Sequence, residues 1–140
     1  MTLTQQDLHE LANLAVEAAQ TAGKYIQDSR STSVTVEHKA VGDSPASQVV
    51  TEVDRKSQQI ILETLAPSLR RFDLAALTEE APDDRQRLQH EAFWSIDPMD
   101  GTLAYVQGIP GYAVSIGMVS REGAPLLGVV HARQVVQDQR

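Results

Sequence analysis

Between Thr4 and Gln27 the apolar residues Leu8, Leu11, Ala12, Ala15, Val16, Ala18, Ala19 and Ala22 recur at three- and four-residue steps, the repeat of one helix face. This predicts a first helix over 4–27. Thr4 followed by Asp7 resembles a capping box with Asp in the place of Glu, and Gly23 weakens the pattern near its end. Asp28-Ser29-Arg30-Ser31-Thr32 reads as a turn. Ser33-Val34-Thr35-Val36-Glu37-His38-Lys39 alternates and is rich in β-branched residues, so it predicts a strand, followed by a loop at Gly42-Asp43-Ser44-Pro45. A second helix is expected from Val50 or Thr51 to Leu65. Val53, Ile60, Ile61, Leu62 and Leu65 form its apolar side, Thr51 is its N-cap and Pro67 its stop. Phe72–Leu77 is a short apolar strand that delivers Thr78-Glu79-Glu80. Residues 81–91 are polar and predict an exposed loop. Ala92–Ile96 is a strand ending at Asp97, with Trp94 as core. Tyr112–Val119 and Leu126–Val130 are two more, with Arg121-Glu122-Gly123 as the turn of a hairpin. The order predicts an α+β fold, helices layered against a mostly antiparallel sheet.

Composition narrows the function. The 140 residues make one ordinary domain, with 41% hydrophobic and 22% charged residues, which excludes wholesale disorder. There is no cysteine, so disulfides, thiolate metal sites and a cysteine nucleophile are excluded. No apolar run approaches the roughly 18–20 residues of a membrane span. The first residues show no basic segment followed by an apolar one, so no secretory signal is expected. Together with the missing cysteines this gives a cytoplasmic expectation. The net charge of −7 argues against binding a nucleic-acid polymer through a basic surface. It leaves open a phosphorylated substrate whose contact is mediated by cations.

The densest chemical signal is Ile96-Asp97-Pro98-Met99-Asp100-Gly101-Thr102. Two carboxylates three residues apart follow an apolar strand. Magnesium takes hard oxygen ligands in a compact octahedron completed by water. Pro98 fixes one φ angle and removes a competing donor. The Met99 carbonyl is a third candidate oxygen, and Asp100-Gly101 allows a sharp turn that folds both carboxylates to one side. Thr102 is placed to cap a short helix over Leu103–Gln107, ended by Gly108, whose N-terminus is an anion site. Asp-Gly alone is an ordinary turn dipeptide. The whole heptapeptide says more.

Asp97-Pro98-Met99-Asp100-Gly101-Thr102 resembles the D-P-x-D-G-T signature of the magnesium-dependent, lithium-sensitive inositol monophosphatase superfamily. That group includes 3′(2′),5′-bisphosphate nucleotidases and is related in fold to fructose-1,6-bisphosphatase. Val49-Val50-Thr51-Glu52-Val53-Asp54 resembles its V-T-x-x-D segment, Thr78-Glu79-Glu80 its G-E-E segment, and Tyr112–Gly117 the strand after the signature. The resemblance implies a layered α/β sugar-phosphatase-like fold of which this chain is the N-terminal half: two helices on a mostly antiparallel sheet. It implies that Glu79, Asp97, Asp100 and the Met99 carbonyl hold Mg²⁺. Glu79 and Asp54 would position a metal-bound water, and Thr102 with Glu79 would orient or deprotonate it. The amides of Gly101 and Thr102 would hold the phosphate. The reaction implied is hydrolysis of a small phosphorylated metabolite, a bisphosphate nucleotide or an inositol phosphate, by metal-activated water.

Plainer readings exist beside these. Near a helix start, Asp54 is favoured by the dipole alone, Lys39 is solvated by default, and Asp83-Asp84-Arg85-Gln86-Arg87 reads as a solvated face. His9, His38, His90 and His131 show no ligand spacing. The chain departs from the family at Gln48, where an acid is frequent, and at Leu103-Ala104-Tyr105, which matches neither the nucleotidase nor the inositol-phosphatase pattern. Nothing in it resembles the family's second half, with its W-D-x-A-type metal ligand. The domain reading is therefore a metal-binding N-terminal domain over 1–132, a polar tail over 133–140 and no C-terminal half. On this reading strands Tyr112–Val119 and Leu126–Val130 have a bare edge or face, and a homodimer or a separate C-terminal half is the expected partner. The alternative function is a non-catalytic remnant or regulatory module with a weak metal site. A generic acidic calcium- or magnesium-binding domain ranks last, because the spacing is not that of an EF-hand.

Overall fold

A computed structural model describes residues 2–37, 45–78, 82–101, 104–105 and 112–132, with side chains for all of these except 30–37 and 45–51. Two long helices, α1 (Gln5–Glu37) and α2 (Pro45–Arg71), pack on four strands, β1 (Leu74–Thr78), β2 (Ala92–Asp100), β3 (Ala113–Ser120) and β4 (Pro125–Ala132). This is the α+β arrangement expected.

The capping box forms as read. The Asp7 amide donates to Thr4 Oγ1 at 3.0 Å, and the Thr4 amide donates to Asp7 Oδ2 at 2.9 Å. The face Leu11, Ala15, Ala18, Ala19, Ala22 and Ile26 is wholly buried. Small alanines let α1 lie close to the sheet. Gly23 belongs to the same contact. A Cβ there would meet His131 of β4, 2.8 Å from Nε2 and nearer still to Cδ2.

Two expectations fail on the first helix. Asp28–Thr32 is not a turn and Ser33–Glu37 is not a strand; α1 continues helically through Glu37. His38 and Lys39 lie outside the described residues. The β-branched alternation is a weak preference. Extending a helix already nucleated adds one bond per residue, and no Gly or Pro between Lys24 and Glu37 interrupts it. The second helix is also longer than expected. It starts at Pro45, a residue suited to the first helical position, so Thr51 is interior and not an N-cap. The loop residues 42–44 lie outside the described residues. Pro67 does not stop the helix. Ser68 Oγ donates to the Leu65 carbonyl at 2.6 Å and accepts the Trp94 Nε1–H at 3.0 Å. The turn beyond the proline is thereby bonded to the core.

The sheet order is β1-β2-β3-β4. β1 runs parallel to β2, and the other two pairings are antiparallel. Trp94 and Ile96 of β2 and Val114, Ile116 and Met118 of β3 are buried and belong to the same core as the helices. His131, paired with Val114, meets Gly23 of α1 and so marks the helix side on β4. The opposite face carries Ser95, Asp97, Ser115, Gly117 and Gly128 and forms an open cleft of about 660 Å³. Among the described residues β4 is an edge strand, and its Val130 is 69% exposed.

Candidate functional site

The register of β2 against β3 builds the site. Asp97 pairs with Ser115 and Asp100 with Ala113, so three steps along β2 match two along β3. The extra residue is a bulge, and a proline tolerates such a place because it has no ladder donor to lose. On an unbroken strand, residues three apart point to opposite sides. The bulge sets Asp97 and Asp100 opposite two residues of one face. The sharp turn at Asp100-Gly101 was the device expected for this; the bulge ahead of it is the device present. Gly101 then turns at φ +82°, a conformation that favours glycine. The Tyr105 amide donates to the Gly101 carbonyl at 3.3 Å, and Ala104 and Tyr105 are helical. Tyr105 is buried edge-on to Tyr112, with ring centroids 5.6 Å apart.

Asp97 is half-buried and lines the cleft beside Ser95 and Ser115. Its Oδ1 accepts the Met99 amide at 3.2 Å. Asp100 is exposed, while the Met99 side chain is buried. Among the described residues no Lys, Arg or His forms an ion pair with Asp97 or Asp100. Thr78, the residue before Glu79, pairs with Ile96, the residue before Asp97. Glu79, Glu80 and Thr102 themselves lie outside the described residues, as does Lys39. Asp54 does not stand at the head of its helix. It lies well inside α2, half-buried, with Oδ1 closed to solvent, so the dipole of the first turn does not account for it. Among the described residues no group of three or more His, Asp or Glu is gathered that could hold a metal. The donors described here, the two carboxylates and the carbonyls of the bulge, are all hard oxygens, which fits magnesium in kind.

Several polar residues escaped the sequence reading. Ser57 Oγ donates to the Pro98 carbonyl at 2.8 Å, and both residues are fully buried. The signal was there: Ser57 interrupts the stripe Val53, Ile61, Leu65 at a core position. His90 Nδ1 lies 2.6 Å from Asp73 Oδ1, and the Glu91 amide donates to Asp73 Oδ2 at 3.0 Å, which joins the start of β1 to the start of β2. The His90 bond is the main cause holding the Asp73 carboxyl below its usual range. The charged segment at 83–87 is a solvated face as expected, exposed except for the half-buried Arg87, and it carries local bonds. Asp83 accepts the Arg85 amide at 2.9 Å and the Arg87 Nε–H at 2.9 Å, and these bonds lower its pKa. Arg87 covers the Phe93 ring at 5.9 Å.

The sequence pattern of the inositol monophosphatase family matches residues 7–139. The chain belongs to the inositol monophosphatase family. Among family members, inositol monophosphatase 2 of Solanum lycopersicum is 35% identical over 127 residues, 89% of this chain and 45% of that protein. The Nus factor SuhB of Escherichia coli K12 is 32% identical over 111 residues, 79% of this chain and 39% of its own length. In structure, inositol monophosphatase from Anabaena (Nostoc) sp. PCC 7120 superposes with a TM-score of 0.65 at 27% identity, covering 91% of this chain and 39% of that one. Inositol monophosphatase II from Staphylococcus aureus MSSA476 gives a TM-score of 0.68 at 26% identity, over 87% and 41%. The chain thus spans less than half the length of the family members it matches. Among the described residues no helix is long and apolar enough to cross a membrane.

Proposed function

We propose that this chain carries the metal-binding part of a magnesium-dependent phosphomonoesterase acting on a small phosphorylated metabolite, an inositol phosphate or a 3′(2′),5′-bisphosphate nucleotide. The observation that carries the reading is the bulge that sets Asp97 and Asp100 on one face of β2, immediately ahead of the positive-φ Gly101. In this reading Asp97, Asp100, the Met99 carbonyl and Glu79 hold the metal. Bound magnesium supplies a water of lowered pKa and neutralises charge on the phosphate oxygens. The chain does the positioning. Glu79, with Thr102, would orient or deprotonate the water, and Asp54, from α2, would help Glu79 to place it. The amides of Gly101 and Thr102 hold phosphate oxygens at the head of the short helix. The absence of cysteine supports a cytoplasmic setting. The exposed edge strand β4 and the open sheet face support a second copy, or a separate C-terminal half, as partner.

The test is phosphate release by the purified chain from inositol 1-phosphate and adenosine 3′,5′-bisphosphate, with magnesium and with or without lithium. Magnesium-dependent, lithium-sensitive release that Asp97→Asn abolishes supports the reading. The second reading is a non-catalytic module with a weak metal site. It predicts metal binding without phosphate release.

A further inference from the structure

Ser57 is a polar residue in an apolar stripe. Val53, Ile61 and Leu65 lie on the same side of α2 at four-residue steps, and all are buried. An alanine would suit this position better by helix propensity and would bury no polar group. The serine hydroxyl is spent on one bond, to the Pro98 carbonyl across 41 residues of sequence. Pro98 lies inside the step between Asp97 and Asp100 where the β2–β3 register shifts. The bond from the Met99 amide to Asp97 Oδ1 is internal to this segment. Ser57 therefore ties the bulge, already flanked by its pairings with β3, to α2. It lies one helical turn after Asp54, so the same stretch of α2 carries both.

The geometry points to Ser57 as a positioning residue: its hydroxyl holds the Pro98 carbonyl and thereby fixes the bulge that places Asp97 and Asp100, in register with Asp54 on α2. This rests on the reading of Asp97 and Asp100 as metal ligands. Ser68 supplies a matched comparison. It is on the same helix, is also buried, and also bonds to β2, but through Trp94 rather than at the bulge. A loss of general stability would act through either serine. A loss of positioning acts through Ser57 alone.

The experiment measures Mn²⁺ binding by electron paramagnetic resonance and hydrogen exchange of the 97–101 segment in the metal-free protein, at a temperature where every variant is folded. Ser57→Ala is expected to weaken Mn²⁺ binding by roughly tenfold, the low end for residues that hold metal ligands in place. It should also speed exchange at Met99 and Asp100. Ser57→Cys, of similar size with a weaker donor, gives a smaller change in the same direction and serves if the alanine variant does not fold. Ser68→Ala lowers the melting temperature and leaves both readouts at wild-type values. Wild-type Mn²⁺ affinity and exchange in both Ser57 variants overturn the positioning role, and so does equal weakening by Ser68→Ala. Asp97→Asn separates the two levels. If it abolishes Mn²⁺ binding while the Ser57 variants do not weaken it, only the role of Ser57 fails. If it leaves binding unchanged, the metal reading fails and the role of Ser57 with it.

Discussion

The indole Nε1–H of Trp94 donates to Ser68 Oγ at 3.0 Å, while Ser68 donates to the Leu65 carbonyl at 2.6 Å. One hydroxyl thus closes the helical turn that Pro67 would otherwise loosen and satisfies a buried ring donor. Ser68→Ala leaves that indole donor unpaired, and an unsatisfied buried donor costs about 1–3 kcal/mol. Thermal and urea unfolding should both show a loss of that order. Trp94→Phe in the Ser68→Ala background should cost less than the two single changes added together, because the orphaned donor leaves with the indole.

Gly23 makes a prediction of changing sign. Alanine in a helix interior is favoured over glycine by roughly 0.5–1 kcal/mol. Here its Cβ would press on the His131 ring, and overpacking of this kind costs about 1–3 kcal/mol. Gly23→Ala should therefore destabilise the wild-type protein and stabilise a His131→Ala variant. A double-mutant cycle in urea measures the difference; an additive result would show that the α1–β4 contact is looser than described.

The Asp73–His90 pair makes a prediction in pH. The folded-state pKa of Asp73 lies below its ordinary value of 3.8, first because of the bond to His90. A depressed carboxylate contributes stability that is fully present above the unfolded pKa and is lost as pH falls through the folded value. Melting temperatures of wild type and Asp73→Asn should differ at pH 6, converge as pH drops below 3.8, and meet at the acid end. A constant gap across that range would assign the effect to shape rather than charge.

Among the described residues, Gly128 of β4 has nothing within 4 Å of where a side chain would begin, and its partner Gly117 meets only the Leu127 carbonyl at 3.6 Å. Glycine inside a strand weakens it. Gly128→Val should raise the melting temperature of the isolated chain, by up to about 1 kcal/mol in stability. If a partner covers the open face, the same change should weaken that association, which sedimentation would detect.

Much of the layout was legible because it rests on periodicity. The stripe from Leu11 to Ala22, the Thr4–Asp7 box and the four apolar strands before and after the signature were each visible as local patterns. What was misread lies where local preference and global context disagree. Val34 and Val36 favour a strand locally, yet a long helix runs through them. Pro67 ends helices by rule, yet Ser68 and Trp94 hold the turn beyond it. At the site, the aspartates were legible as chemistry, but the bulge was not, because a register shift depends on the partner strand. Ser57 was missed because a lone serine in an apolar stripe looks like tolerance until its acceptor, 41 residues away, is known.

The bulge in β2 has a consequence for the local balance of donors and acceptors. An extra residue in one strand brings one amide and one carbonyl that the ladder does not need. Proline within that step means a carbonyl arrives without an amide to match it. The Met99 amide is already taken by Asp97 Oδ1, and Ser57 supplies a donor to Pro98 from another element. With two carboxylates alongside, the segment has more lone pairs than hydrogens to offer them. Such a surplus repels anions and attracts whatever brings positive charge without needing an acceptor in return. A bare ion meets that demand better than a lysine, whose three donors and long stem must also be ordered.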